Sequence, residues 1–104
     1  MTNGSGGPKV IERHITFTVH PDKTAEFEQF IASEYVPPIK TWPGFVKVDL
    51  LREAGSETRY QMVLRWEDGD AATSWRTSDV HTALQPGLNA LHSGMDIQAY
   101  DVIG

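Results

Sequence analysis

The chain has 104 residues, 39% of them hydrophobic and 22% charged, with a formal net charge of −5. That length corresponds to one domain, and the acidic balance excludes the basic footprint of a nucleic-acid binder and disfavours an anionic membrane surface. The absence of cysteine excludes disulfides, thiolate nucleophiles, iron–sulfur clusters and cysteine zinc sites.

No apolar run approaches the ~20 residues that span a bilayer. The opening MTNGSGGP has neither the basic region nor the apolar stretch of a signal peptide, so the cytoplasm is the expected location. A chain this short buries roughly 60–65% of its unfolded surface, and help from a partner subunit is expected. His14, His20, His81 and His92 do not pair at HxH, HxxxH or HExxH spacing, so no metal site is expected.

Residues 1–9 are rich in Gly, Ser and Asn and read as a disordered segment ahead of one domain over residues 10–104. Val10 to Val19 alternates, with Ile11, Arg13, Ile15, Phe17 and Val19 on one face and Glu12, His14, Thr16 and Thr18 on the other. This is a half-buried strand. His20-Pro21-Asp22-Lys23 is a turn into a helix over Thr24 to Val36, whose Phe27, Phe30, Ile31 and Tyr35 recur at helical spacing. Pro37-Pro38 should break or kink it, leaving a short turn through Ile39 and Trp42 that Pro43-Gly44 stops.

Phe45 to Arg52 is a second strand, and Glu53 to Glu57 a glycine-containing hairpin loop. Thr58 to Trp66 is a third strand, placing Tyr60, Met62, Leu64 and Trp66 on one face. Asp68-Gly69-Asp70 caps a helix to Arg76, and Ser78-Asp79 caps another holding Val80, Ala83 and Leu84. Pro86-Gly87 should interrupt that helix before a last turn from Leu88 to His92, stopped by Gly94. Met95 to Ile103 is the fourth strand.

The order β-α-β-β-α-β is the ferredoxin-like α+β arrangement, an antiparallel sheet with helices on one face. The other face carries apolar and amphipathic residues and should be covered. The simplest cover is a second copy about a two-fold axis.

Across Val10 to Ile103 the chain resembles the antibiotic biosynthesis monooxygenase family of dimeric α+β barrels. The resemblance rests on the turn Val19-His20-Pro21, the entry Pro43-Gly44-Phe45, the exit Leu64-Arg65-Trp66-Glu67, and Ser78-Asp79-Val80-His81 before an apolar helix. It implies a homodimer. It also implies a small oxygenase that uses molecular oxygen, without metal or flavin, on an aromatic, quinol or polyketide-like substrate. Such chemistry needs an apolar slot, polar groups that orient the substrate and a stabiliser for developing negative charge. A non-catalytic dimeric small-ligand-binding protein is the alternative.

A haem-degrading branch of the family is a further option. It places an iron-ligating His ten residues after a helical Trp. Trp75 matches that Trp, but the ligand position is then Gln85, so the axial imidazole is missing.

His81, Trp75 and Arg13 are the candidate catalytic residues. His81 is a possible general base, its unperturbed pKa lying near ~6.5, or a helix-capping residue. Trp75 is either a wall of the slot or a core anchor. Arg13 shares the buried face of strand one and needs an acceptor, from a protein carboxylate or from a ligand. Phe17, Tyr60, Trp66, Trp42 and Gln85 are the candidate substrate-binding residues. His92, close to a helix end, is expected to be solvated.

Overall fold

A computed structural model describes residues 9–104. Of the segment 1–9 expected to be disordered, residues 1–8 lie outside the described residues. Strands β1 (Ile11–Val19), β2 (Phe45–Arg52), β3 (Arg59–Trp66) and β4 (His92–Asp101) form one antiparallel sheet in the order β2-β3-β1-β4. The alternation in β1 sets its register. Ile15 sits opposite Met62 and Ile97, and Phe17 opposite Tyr60 and Met95, so all six lie on one face. Helices α1 (Thr24–Phe30), α2 (Val36–Lys40), α3 (Gly69–Arg76) and α4 (Asp79–Asn89) pack on that face. The core joins Phe17, Phe27, Ile31, Tyr35, Trp66 and Trp75, all 0–2% exposed.

The fold is therefore ferredoxin-like α+β. The four strands do not close on themselves, and the face opposite the helices stands open in the single chain. It is organised by charge. Glu12 accepts from Arg65 at 2.6 and 2.8 Å and pairs with His14 at 2.7 Å. The hydrogen bonds from His14 and then Arg65 hold the Glu12 carboxyl below its usual range. Tyr100 lies edge-on to His14 at 4.7 Å. Among the described residues no helix is long and apolar enough to cross a membrane.

Three local expectations are corrected. Pro37-Pro38 does not break the first helix. A π-turn (Ile31–Tyr35) precedes α2, in which the Val36 N–H donates to the Ile31 carbonyl five residues back. The prolines follow in the first turn of α2, and Ser33 and Glu34, whose carbonyls they leave without a donor, are exposed, so water can satisfy them. Pro86-Gly87 does not interrupt α4, which runs unbroken through Pro86 to Asn89. Pro86 and Thr82 are exposed, so water can satisfy the Thr82 carbonyl that Pro86 leaves without a donor. Gly87 is where α4 passes close to α1: a Cβ there would meet the Phe30 ring at 2.7 Å. Finally, β4 begins at His92, not Met95. The His92 ring packs on Phe17 at 5.2 Å, its nitrogens are buried without a hydrogen-bond partner, and Gly94 lies within the strand.

Candidate functional site

A small cavity of about 60 Å³ lies between the sheet and α4. Its apolar wall is built by the inward residues of β1 and β3, among them Phe17, Ile15 and Met62, and by Leu88 of α4. Its polar groups are Arg13, Tyr35, Arg76, His81 and Gln85. They come from four places in the chain: β1, the π-turn, the end of α3 and the first turns of α4.

Local capping sets up the helical side of the slot. Asp68 accepts from the Ala71 N–H at 2.8 Å and starts α3. Ser78 accepts from the His81 N–H at 3.1 Å and starts α4 one turn before the imidazole. His81 and Gln85 then stand one turn apart on the same face. The Gln85 amide nitrogen lies 3.3 Å from the His81 carbonyl and 3.3 Å from its Nε2. A carbonyl can only accept, so the amide presents its NH2, Nε2 accepts, and the ring proton sits on Nδ1.

The electrostatics of the slot favour a neutral imidazole. Burial, then Arg13, then Arg76, pushes the His81 pKa down from its ordinary value of 6.5. Arg13 is pushed down by burial and by Arg76, but a guanidinium stays charged in a protein. Tyr35 is pushed up, chiefly by burial. Its oxygen accepts from Trp75 Nε1 at 3.2 Å, which leaves the phenolic proton free to donate.

Of the residues singled out in the sequence, Arg13, Phe17, His81 and Gln85 come together around the cavity. Trp75 does not line it. The indole is fully buried behind it, against Tyr35 at 5.6 Å, His81 at 5.6 Å and Trp42 at 5.3 Å. Trp66 is buried further back against Phe45, with its Nε1 unpartnered. Trp42 donates to Ser74 Oγ at 3.2 Å. Tyr60 turns toward α1, where its hydroxyl donates to Glu28 at 2.5 Å. The sequence reading missed Tyr35 and Arg76. Tyr35 looks like any core residue on an amphipathic helix, and Arg76 like a cation at a helix end, so neither carried a signal of its own.

A larger open depression of about 630 Å³ lies on the outer side, between α1 and α4, floored by Phe30, Gly87 and Leu91. No histidine, arginine or tyrosine reaches it. It offers apolar surface and the exposed carboxylates Glu26 and Glu34, but no group to stabilise developing negative charge, so the smaller cavity is the candidate site despite its size.

No match is found among curated proteins. Solved structures resemble the chain over most of its length. A conserved protein from Methanosarcina mazei Go1 is 19% identical, with a TM-score of 0.82 over 89% of this chain and 92% of that one. SnoaB, a cofactor-independent oxygenase from Streptomyces nogalater, is 22% identical, with a TM-score of 0.75 over 92% of this chain and 95% of that one. At these identities the likeness establishes the fold. The family itself is given by the model for antibiotic biosynthesis monooxygenases, which matches residues 11–87 and so takes in β1 through most of α4, with all five polar groups of the slot. The chain belongs to the antibiotic biosynthesis monooxygenase family.

Proposed function

We propose that this protein is a cytoplasmic, homodimeric oxygenase that oxidises a small aromatic, quinol or polyketide-like molecule with O2 and no cofactor. The observation that carries the reading is His81, its pKa lowered toward the neutral form, beside two guanidinium groups without an ion pair among the described residues, in a slot with apolar walls. Family membership and the likeness to SnoaB add to it.

In this reading His81 removes an acidic proton from the substrate once Gln85 releases Nε2. Arg13 stabilises the charge that develops on the substrate oxygen. The electron-rich anion reduces O2. At a methylene carbon one oxygen atom enters the product as a carbonyl and the other leaves as water with the two hydrogens of that carbon; at a phenolic or quinol ring the two hydrogens come from the ring C–H and a hydroxyl. The dimer is supported by the open sheet face, where Leu51 is 50% and Tyr100 43% exposed. A monomer in light scattering at micromolar concentration would count against it.

The test is oxygen uptake with an anthrone and a quinol in metal-free buffer. Uptake above the blank is expected, and His81→Ala should lower it by about 100-fold. If no substrate in such a panel consumes oxygen while the same compounds raise the melting temperature, a non-catalytic binding protein is the better reading.

A further inference from the structure

We infer that the slot takes a carboxylate head group, so that the substrate is an aromatic acid whose ring lies over the outer lip of the cavity. This rests on the slot being the substrate site and adds the chemical class that the site selects.

The first observation is a missing partner. Arg13 and Arg76 line the same small cavity from β1 and α3, and among the described residues neither forms an ion pair. Of the three arginines elsewhere, Arg65 pairs with Glu12 and Arg52 with Glu28, while Arg59 is exposed. The chain has 14 acidic residues, yet no Asp or Glu lines the slot. Two like charges meet at one cavity, Arg13 half-buried and Arg76 exposed, and together they draw a counter-ion that no side chain lining the slot supplies.

The second observation is an excess of donors. Both guanidinium groups can only donate. Tyr35 has its oxygen engaged by Trp75 and its proton free. The complementary ligand group is rich in acceptors and negative. A planar carboxylate matches the guanidinium fork in geometry as well as in charge.

The third observation is size. About 60 Å³ holds roughly four waters, far below the ~300 Å³ of an ordinary ligand pocket. A carboxylate fits inside; a fused ring system does not. The rest of the ligand must lie at the mouth, where Met95 and Ile97 of the edge strand line the cavity and remain 42% and 44% exposed. Those side chains occupy the core-facing side of β4 without being covered, which is what an apolar ligand body would cover. A carboxylate shared by the two guanidinium groups neutralises one unit of their charge. The remaining unit still favours the oxyanion that forms beside Arg13 during oxidation.

The experiment is calorimetric titration of the intact protein with 2-naphthoate and with its neutral counterpart 2-naphthamide. Naphthoate should bind about tenfold tighter or better. The preference should collapse in Arg13→Met, and shrink in Arg76→Met, which alters an exposed residue and spares the fold. Equal binding of the two compounds overturns the inference. So does naphthoate that fails to bind at about 10 mM, or a preference that survives in Arg76→Met and in folded Arg13→Met. The titration involves no oxygen chemistry. Carboxylate binding without oxygen uptake would refute the oxygenase reading alone, and uptake of a neutral quinol without carboxylate selectivity would refute this inference alone.

Discussion

Replacing Trp75 by Phe separates a structural anchor from a wall of the slot. Trp75 is fully buried, touches Tyr35, Trp42 and His81 with its ring, and donates to the Tyr35 hydroxyl at 3.2 Å. It is absent from the cavity lining. Loss of the hydrogen bond costs about 1 kcal/mol, and loss of indole area about 0.5–1 kcal/mol. A residual void of about 40 Å³, at ~24 cal/mol per Å³, adds about 1 kcal/mol. The total is about 2–3 kcal/mol, which lowers the melting temperature of a domain this size by about 10–20 °C. The assay is thermal and urea unfolding at fixed protein concentration, because a dimer's stability depends on it, with ligand titration on the still-folded variant. Stability should fall while ligand affinity changes by less than about threefold. An unchanged unfolding midpoint with a tenfold loss of affinity would refute the reasoning and make Trp75 part of the slot.

Two further outcomes follow from the geometry. Acid should destabilise the protein. The pKa values of His81 and His92 lie below 6.5, each mainly through burial. The unfolded chain therefore takes up more protons as pH falls through 6.5, and stability present at neutral pH is lost toward the lower folded values. The depressed Glu12 carboxyl contributes stability above 4.5 that is lost at still lower pH. The urea midpoint should drop between neutrality and about pH 5, and a flat or rising midpoint contradicts this. The glycines at Gly44 and Gly55 both have φ +84, but only at Gly44 would a Cβ collide with Ala71, and nothing lies near Gly55. Gly44→Ala should therefore lose about 2–4 kcal/mol and Gly55→Ala about 1 kcal/mol. Equal losses in urea melts would remove the role of the β2–α3 contact.

The strands, their inward faces and both helix caps were legible in the sequence, because alternation and capping are local properties. Ile15, Phe17, Met62 and Leu64 are buried where alternation put them, and Asp68 and Ser78 cap as their chemistry requires. The proline positions were not legible in the same way. Breaking a helix at Pro37 or Pro86 is the local preference, but packing of Ile39 and Leu88 into the core outweighs it, and a π-turn or solvent takes up the lost hydrogen bond. His92 has the sequence pattern of a helix-end charge, because nothing local shows that β4 begins there and lays its ring on Phe17.

The sequence alone determined the βαββαβ order and the acidic balance, and among its candidates were Arg13, Phe17, His81 and Gln85, which lie around the slot. Only the tertiary structure decided that the tryptophans stand behind the slot, that Tyr35 and Arg76 join it, and that among the described residues its two arginines lack a carboxylate. Periodicity tells which way a side chain faces. Which side chains from distant elements converge, and what charge they leave unpaired, is set by how α3, α4 and the π-turn pack across the sheet.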